Sequence, residues 1–429
     1  MIAALFIGLV ACILIGAPIA VSIGMASVLS MVQGGQTNQL FLIAQRMATA
    51  LDSTVLLGIP LFVLAGAIMG KGGISRQIIN LCYELLGWIP GSLGVVATVA
   101  CMFFAAISGS APATVAAIGG IMIPSMIDDG YPAGYSAALL ASGGIIGCII
   151  PPSIPFVNYG LITGESVSEL FAGGAIPGIL MGIALCVYNV FMAKRHGWGS
   201  RTKGVNLSRA WKAFREAIWA ILMPVIILGG IYGGLFTPTE AAAVACVYGF
   251  IAAFVIYRGI KITDMVDIAF DAVKTSAMIL FICATANAFS FIVTKQQVPA
   301  KLADLVLGIT DNWVVVLLLI NIILLINGCF METTASTYIY TPILYPLIVA
   351  LGYDPVQFGV VMVMNLTMGL ITPPLGINLF VSTGIDKRIR LADQIKAVWP
   401  MFFVLVAVLL LVTYCPPISL TLVKMVRGG

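Results

Sequence analysis

The sequence predicts an all-α polytopic membrane protein whose two halves form an inverted-topology repeat. Its 429 residues are 61% hydrophobic and only 9% charged, with a mean hydropathy of +1.10. A soluble domain needs more charge than this to cover its surface, so the composition places the chain in lipid. Helix-length apolar stretches follow one another with short loops, and two of them are interrupted by Pro-Pro pairs, Pro151-Pro152 and Pro373-Pro374.

Nine apolar stretches are long enough for a full membrane crossing, which takes about 20 residues as a helix. They lie at 2–30, 53–70, 133–162, 170–194, 217–236, 238–257, 278–294, 355–383 and 398–417. The first stretch is too long for a signal-peptide core and lacks a basic segment before it, so we expect a retained helix.

Two further apolar stretches, 91–126 and 313–349, are interrupted at mid-length by small polar clusters. Non-helical backbone at membrane depth is tolerated only inside protein or along a cavity, so we expect each stretch to form a re-entrant hairpin. Charged and apolar residues alternate at helical spacing in three segments, which predicts interfacial amphipathic helices at 39–51, 75–88 and 263–276.

Basic residues set the predicted orientation, because cytoplasmic loops of membrane proteins are enriched in Lys and Arg. With the N-terminus inside, 16 of the 21 Lys and Arg residues are cytoplasmic, and only Arg46, Lys295, Lys301, Lys424 and Arg427 lie outside. The basic loop at 194–215 is the strongest marker. The sequence therefore predicts a multi-pass protein of the bacterial inner membrane, with the N-terminus cytoplasmic and the C-terminus periplasmic.

The two halves repeat at a nearly constant spacing. Gly130-Tyr131 and Gly352-Tyr353 are 222 residues apart, and so are the two Pro-Pro pairs. The spacing drifts to 224 between 74–81 and 298–305. An odd number of predicted crossings separates the two units, so the second is inverted, as in many secondary transporters. The predicted units are a first repeat at 1–194, a cytoplasmic loop and connecting helix at 195–237, and a second repeat at 238–429.

Four broken places should meet at mid-membrane, namely the two hairpin tips and the two Pro-Pro breaks. A Pro-Pro pair removes two backbone donors and leaves carbonyl groups without helical partners. Carbonyl and hydroxyl oxygens suit a desolvated sodium ion, and the half-helices that begin after the breaks direct positive dipole ends toward an anionic substrate. A purely structural role for the Pro-Pro pairs is less compatible with their occurrence twice in the chain at the repeat spacing.

Some polar residues in these places have two interpretations. Glu332 is the one carboxylate at a predicted mid-membrane break, and it either serves function directly or braces the hairpin tip. Asn158 and Asn378 either face the substrate or join helices by hydrogen bonds. The nine cysteines show no CxxC spacing, and the single histidine, His196, excludes a histidine cluster. With no catalytic or Walker motif present, the sequence argues against an enzyme or an ATP-driven pump.

The motifs SGSAPATVAAIG, IIPPSIPFVNYG, NGCFMETTAS and MGLITPPLGINLFV resemble the large, DctM-like membrane subunit of tripartite ATP-independent periplasmic (TRAP) transporters. The resemblance covers the whole chain, and the four motifs stand in the family's order. It implies an elevator-type fold, coupling to about two sodium ions, and uptake of an organic acid such as a C4-dicarboxylate or sialic acid, with a lean to sialic acid. It also implies two protein partners, a separate small four-helix membrane subunit and a periplasmic binding protein.

Carried over position by position, the resemblance and the repeat imply two sodium sites. Their residues are Ser108, Ser110, Gly147, Ile150 and Pro152 for the first site, and Gly328, Glu332, Gly369, Thr372 and Pro374 for the second. The polar residues expected to contact the substrate are Ser110, Thr114, Ser153, Asn158, Thr334, Thr337 and Asn378.

In the implied mechanism the two hairpins and the two Pro-broken helices move together against a scaffold. The helices expected in that scaffold are those at 2–30, 170–194, 217–236, 238–257 and 398–417. The alternative function is a proton-coupled organic anion transporter or exchanger, but proton relays need several buried ionisable groups and Glu332 alone qualifies. A passive channel is less compatible with closed hairpin tips, which are binding-site features.

Overall fold

The computed structural model describes residues 2–199, 204–309 and 312–428, and every regular element in these ranges is helical. Two residues of the charge count, Arg201 and Lys203, lie outside the described residues. Within the described ranges, seven helices are long and apolar enough to cross a membrane by length and composition alone. These features confirm the predicted all-α membrane fold.

The first half contains eleven α-helices: α1 (Ile2–Leu14), α2 (Ile19–Gln33), α3 (Phe41–Leu51), α4 (Gly58–Lys71), α5 (Ile74–Leu86), α6 (Ser92–Ser108), α7 (Ala111–Thr114), α8 (Gly120–Asp128), α9 (Ala133–Gly144), α10 (Ile154–Thr163) and α11 (Val167–His196). A π-helical turn, Val115–Gly119, joins α7 to α8.

The second half contains ten: α12 (Leu207–Tyr232), α13 (Pro238–Phe250), α14 (Asp264–Lys295), α15 (Val298–Ile309), α16 (Trp313–Gly328), α17 (Thr333–Ala350), α18 (Pro355–Gly369), α19 (Ile377–Thr383), α20 (Leu391–Tyr414) and α21 (Pro416–Val426). A π-helical segment, Ile251–Ile256, extends α13.

The predicted single crossing at 2–30 is wrong, because the chain turns back between α1 and α2. Gly16 adopts the left-handed conformation at φ +85° and Pro18 precedes α2, so a continuous helix cannot pass this point. The two helices pack on each other, and a Cβ added at Gly8 would lie 3.6 Å from the Cα of Ala26. Ile2 therefore lies at the same end of this pair as Gln33.

Two polar contacts mark opposite faces of the molecule. Lys71, at the end of α4, forms an ion pair with Asp271 of α14 at 3.3 Å. At the other end of α14, the Lys295 ammonium donates to the side-chain oxygens of Gln36 and Gln39 at 2.9 and 2.8 Å. If the basic loop is cytoplasmic, Lys71 lies on the cytoplasmic face and Lys295 on the periplasmic face. On that assumption the turn between α1 and α2 places Ile2 on the periplasmic face, opposite to the predicted side, and the orientation of both termini stays a prediction.

The predicted interfacial helices form, but the two halves build them differently. In the first half α3 is separated from α4 by a break at Asp52 and Ser53, as expected. In the second half the predicted interfacial segment and the following crossing form one continuous helix of 32 residues, α14. No Pro or Gly interrupts its sequence, so the helical hydrogen-bond ladder continues through it.

Both hairpins and both broken helices are present as predicted. The first hairpin joins α6 to α7 and α8 through Gly109, which has φ +61° at the tip, and the second joins α16 to α17. The broken helices are α9 with α10 and α18 with α19, and both Pro-Pro bonds are cis. The same order of elements thus occurs in each half.

We divide the helices into two sets, which we name the frame and the core unit. The frame contains α1 and α2, which pack on each other, and α4, α12 and α13, with α4 and α12 each packed on α13; α14 contacts both α2 and α4. The core unit contains both hairpins, both broken helices, α11, α20 and α21. α11 and α20, expected in the scaffold as 170–194 and 398–417, pack on the broken helices, and which helices stay fixed remains a prediction.

Small residues explain the place of α11. An added Cβ at Gly174 would lie 2.6 Å from the carbonyl oxygen of Ile149, and one at Gly178 would lie 2.5 Å from Ile150 Cγ1. Such close approach of helix backbones through glycine is the usual packing mode of membrane helices. α11 is thereby fixed to the first Pro-Pro break.

Ion pairing also ties the core unit together at one of its ends. The Arg388 guanidinium donates to Asp386, at the end of the second broken helix, and to Asp128, at the end of the first hairpin, at 2.7 and 2.6 Å. Hydrogen bonds from Arg388 lower the pKa of Asp386 to about 2. Arg388 therefore links elements from both halves of the chain.

The turn between α1 and α2 predicts the sidedness of the first helix. In a background without the native cysteines, Ala3→Cys and Asn38→Cys should react with a membrane-impermeant maleimide added to spheroplasts. Thr263→Cys, which precedes α14 at its other end, should react only after permeabilisation. Labelling of Ala3→Cys together with Thr263→Cys would contradict the hairpin.

Candidate functional site

The two hairpin tips meet in a cavity of about 660 Å³ between the frame and the core unit. The first tip contributes Ser108, Gly109 and Ser110, and the second contributes Glu332, Thr333 and Thr334. The lining also includes helix starts after the breaks and the facing sides of α4 and α14, with Ile154, Pro155, Gly66, Lys71, Asp271 and Thr275. The sequence prediction that the tips converge is confirmed.

The first tip holds a compact group of oxygen atoms. The hydroxyl oxygens of Ser108 and Thr114 are 2.9 Å apart, and the Thr114 hydroxyl donates to the Ser110 carbonyl at 2.9 Å. The Ser108 hydroxyl lies 3.3 Å from the same carbonyl oxygen. Ser108 and Thr114 are buried, so these oxygens are shielded from bulk water.

The first Pro-Pro break packs directly on this group. A Cβ added at Gly147 would lie 2.6 Å from the Thr114 hydroxyl and 2.9 Å from the Ser110 carbonyl oxygen. A Cβ added at Gly109 would lie 2.9 Å from the Pro152 carbonyl oxygen. Four of the five residues predicted for the first sodium site thus lie together. The fifth prediction concerns the carbonyl oxygen of Ile150 and stays a prediction, while the side chain of Ile150 packs against α11.

The second tip is built around a carboxylate. Glu332 is the N-cap of α17, and its side chain accepts hydrogen bonds from the backbone N–H groups of Thr334 and Ala335 at 2.9 and 3.3 Å. It also accepts from the Thr334 hydroxyl at 3.0 Å. A carboxylate in this position satisfies the free N–H groups of the first helical turn and favours the helix dipole. In the structure Glu332 braces the tip through these hydrogen bonds, and its direct role in function stays a prediction.

The other residues predicted for the second sodium site are only partly assembled. Gly328 and Gly369 touch through their backbones, with the built Cβ of Gly328 3.0 Å from Gly369 Cα. The Thr372 hydroxyl donates to the Met368 carbonyl of its own helix at 2.9 Å. Pro374 lies in an exposed turn. The second break is therefore more open than the first, whose Pro151 and Pro152 are buried.

The residues predicted to contact substrate divide into two sets. Ser110 and Thr334 line the cavity. The others are buried within the core unit and have local partners, as described next: Thr114, Ser153, Asn158, Thr337 and Asn378.

These buried side chains mostly stabilise the interrupted helices. The Ser153 hydroxyl caps α10 by accepting from the Phe156 N–H, and the Thr337 hydroxyl donates to the Thr333 carbonyl at 2.8 Å. The Asn158 amide oxygen accepts from the Tyr338 hydroxyl, and the Asn378 amide donates to the Ala141 carbonyl at 3.1 Å. Both asparagines thus join helices, while the Asn158 amide nitrogen and the Asn378 amide oxygen are buried without a partner among the described residues, and their contact with substrate stays a prediction.

Sequence reasoning missed four polar residues of the cavity. Lys71, Asp271 and Thr275 line its wall, but the sequence indicated them only as parts of a loop or of an interfacial helix. Thr333 lines it with a buried hydroxyl that has no hydrogen-bond partner among the described residues. The internal repeat gave no signal for Thr333, because Ala111 occupies the equivalent position in the first tip.

The donor set of the first tip fits a sodium ion. Two hydroxyl oxygens and the carbonyl oxygen of Ser110 form the group, and the Gly147 and Pro152 backbone is adjacent. All are hard oxygen ligands, and the group contains none of the nitrogen or sulfur ligands that transition metals prefer. The absence of a side chain at Gly147 is what permits the break to approach this closely.

Comparison with known proteins assigns the chain to a class. A model of the DctM component of tripartite ATP-independent periplasmic transporters matches residues 6–418. The chain is 44% identical to the isethionate TRAP transporter permease protein DctMQ of Oleidesulfovibrio alaskensis, over 95% of this chain. It spans 64% of that relative's length. It is 36% identical to the C4-dicarboxylate TRAP transporter large permease protein DctM of Rhodobacter capsulatus, covering 96% of this chain and 97% of the relative.

A solved structure shares the fold. The YdaH transporter of Alcanivorax borkumensis, described as having an unusual topology, aligns with a TM-score of 0.62 at 14% identity and covers 88% of each chain. At this level of identity the likeness concerns the fold alone.

The close packing at Gly147 predicts a destabilised variant. Gly147→Ala should lower the free energy of unfolding by about 1–3 kcal/mol, the usual cost of overpacking, because the new methyl group meets Thr114 and Ser110. Gly120→Ala is the matched control, since nothing lies within 4 Å of its added Cβ and alanine favours the helix. Thermal unfolding of the detergent-purified variants measures both. Equal unfolding midpoints would refute the packing.

Proposed function

Because this chain belongs to the DctM family of tripartite ATP-independent periplasmic transporters, we propose that this large permease subunit uses a sodium gradient to import a small organic anion. The proposal rests chiefly on one observation. The tips of two hairpins from opposite halves of the chain line a single cavity, and the oxygen cluster of the first tip lies beside it.

The cavity suits an anion of modest size. The N-terminal ends of α10 and α17 reach its wall at Ile154 and Thr333, and helix N-termini attract negative charge. Thr333 offers a free hydroxyl, and Lys71 stands at the cytoplasmic end. Relatives named for isethionate and for C4-dicarboxylates support a small carboxylate or sulfonate. The preference for sialic acid stays a prediction.

Sodium coupling follows from the first tip. Its hydroxyl and carbonyl oxygens would bind the ion, and a bound ion would hold the tip against the first Pro-Pro break. Proton coupling is the less supported alternative, because the Glu332 carboxylate is engaged in capping α17. A second sodium ion would bind near Gly328 and Gly369, where two backbones touch.

An elevator movement is the mechanism that this packing favours. The core unit contains every element that forms the tips and breaks, so it can move without dismantling them. The frame would stay fixed and associate with a small membrane subunit, while a periplasmic binding protein delivers the anion. The C-terminus remains assigned to the periplasm and the protein to the inner membrane.

The geometry of the oxygen cluster predicts which hydroxyl groups bind sodium. Sodium should stabilise the purified protein against thermal unfolding, since a ligand that binds only the folded state raises its stability. Ser108→Ala and Thr114→Val should raise the sodium concentration that gives half of this effect by about 5–150-fold, as expected for a loss of 1–3 kcal/mol. Choline chloride at equal ionic strength is the salt control.

The matched control variant is Thr367→Val. Thr367 is also buried, but its hydroxyl donates only to carbonyls of its own helix, Val363 and Met364. Its sodium response should equal that of the parent. A parental response in both tip variants would refute the proposed site.

The core unit predicts the effect of linking the two tips. A bifunctional maleimide joining Ala113→Cys to Thr334→Cys should leave most transport intact, because both residues belong to one moving body. Linking Lys71→Cys in the frame to Ala113→Cys should stop transport. Uptake of isethionate and succinate by the complex with its partners gives the readout. If linking the two tips abolished uptake, and cleavage of a cleavable linker restored it, the result would favour hairpins that gate independently.

A further inference from the structure

A second, smaller pocket of about 270 Å³ is lined by residues of the second half of α14, whereas the main cavity is lined by residues of its first half. It is bounded by the end of α3, the second half of α14, the end of α10 and the middle of α17. We name it the outer pocket. Neither the packing of the core unit nor the hairpin tips explain why this pocket is present.

The outer pocket is the repeat counterpart of the main cavity. Thr49, Ala50 and Ser53 line it, and the residues 222 positions later, Asp271, Ala272 and Thr275, line the main cavity. This is the same spacing that relates the two Pro-Pro pairs.

Three further lining residues obey the repeat. Tyr338 of the outer pocket corresponds at 222 to Ala116 of the main cavity. Asn287 and Ser290 correspond to Val63 and Gly66 at 224, the spacing of the neighbouring segments. Six of the ten lining residues of the outer pocket thus have a mate in the cavity, which is not expected for an accidental gap.

The chemistry of the outer pocket differs from that of its mate. Its ten lining residues include no Asp or Glu, whereas the main cavity contains Asp271 and Glu332. Within the described part of the chain, the side chains of Ser53, Asn287 and Ser290 have no hydrogen-bond partner. Hydroxyl and amide donors without a competing carboxylate suit an anion.

Larger side chains at the repeat-related positions explain why the outer pocket has the smaller volume. Tyr338 replaces the methyl group of Ala116, and Asn287 and Ser290 replace smaller or apolar residues. The Tyr338 hydroxyl donates to Asn158 in the core unit, so the ring is held across the pocket floor.

From these observations we propose that the outer pocket is a receiving site for the organic anion on the periplasmic face, with Ser53, Asn287 and Ser290 as hydrogen-bond donors. The inference rests on the proposed function, because it takes the transported anion as its ligand. It adds a site that is distinct from the main cavity. The residues that line this site are related by the internal repeat to residues in the wall of the main cavity.

The test compares the two repeat-related positions Ser53→Cys and Thr275→Cys. Sealed right-side-out and inside-out membrane vesicles are treated with 2-sulfonatoethyl methanethiosulfonate, an anionic sulfonate, and with its trimethylammonium counterpart. Rates are divided by those of each reagent with a free thiol. Ser53→Cys should react from the periplasmic side, with the anionic reagent favoured about tenfold. Thr275→Cys should react from the cytoplasmic side.

The donor role is tested by adding Asn287→Ala to Ser53→Cys, which should remove most of the anionic preference while leaving the sidedness unchanged. Peptide mass spectrometry identifies the label on residue 53 even where the native cysteines are retained. Failure of Ser53→Cys to react, reaction only from the cytoplasmic side, or an anionic preference that survives Asn287→Ala would each overturn the proposal.

These readouts separate the site from the transport function, because labelling requires neither a sodium gradient nor a known substrate. A lost sodium response with the expected labelling would refute the coupling and keep the site. The reverse result would refute the site and keep the coupling.

Discussion

The structure depends on one constraint, that backbone groups freed at mid-membrane must find partners within the protein. The chain interrupts four helices, and side chains satisfy three of these interruptions locally. Hydroxyls of Ser108 and Thr114 serve the first tip, the Glu332 carboxylate serves the second, and Ser153 caps the helix after the first break. Close glycine packing then excludes lipid from these places. Two of these side chains, Ser108 and Glu332, also line the cavity.

Much of the fold could be predicted because this constraint leaves marks in the sequence. Polar clusters within apolar runs located both hairpins, and Pro-Pro pairs located both broken helices. The turn at Gly16 was missed because apolar residues surround it, and hydropathy does not register a change of direction. The positions of α11 and α20 were missed because a hydrophobic helix carries no sign of which neighbours it packs against.

The candidate site could be predicted in part, for a related reason. Residue type showed that oxygen ligands collect at the tips, but it could not show which hydroxyls already donate to their own helix, as those of Thr337 and Thr372 do. The two tips also satisfy their backbones differently, one with hydroxyls and one with a carboxylate. The repeat therefore preserves position more faithfully than chemistry, and residues such as Thr333 become visible only in three dimensions.

The unequal lengths of three helices outside the core unit have a consequence for the surrounding lipid. At 1.5 Å per residue, the 13 and 15 residues of α1 and α2 extend only about 20 and 22 Å, while the 32 residues of α14 extend about 48 Å. A typical hydrocarbon core is about 30 Å thick. If these helices span the bilayer, lipids beside α1 and α2 would have to compress and α14 would have to tilt, which would make acyl-chain length a variable of transport. Under the proposed elevator movement, a locally thinned bilayer would also shorten the distance that the core unit travels.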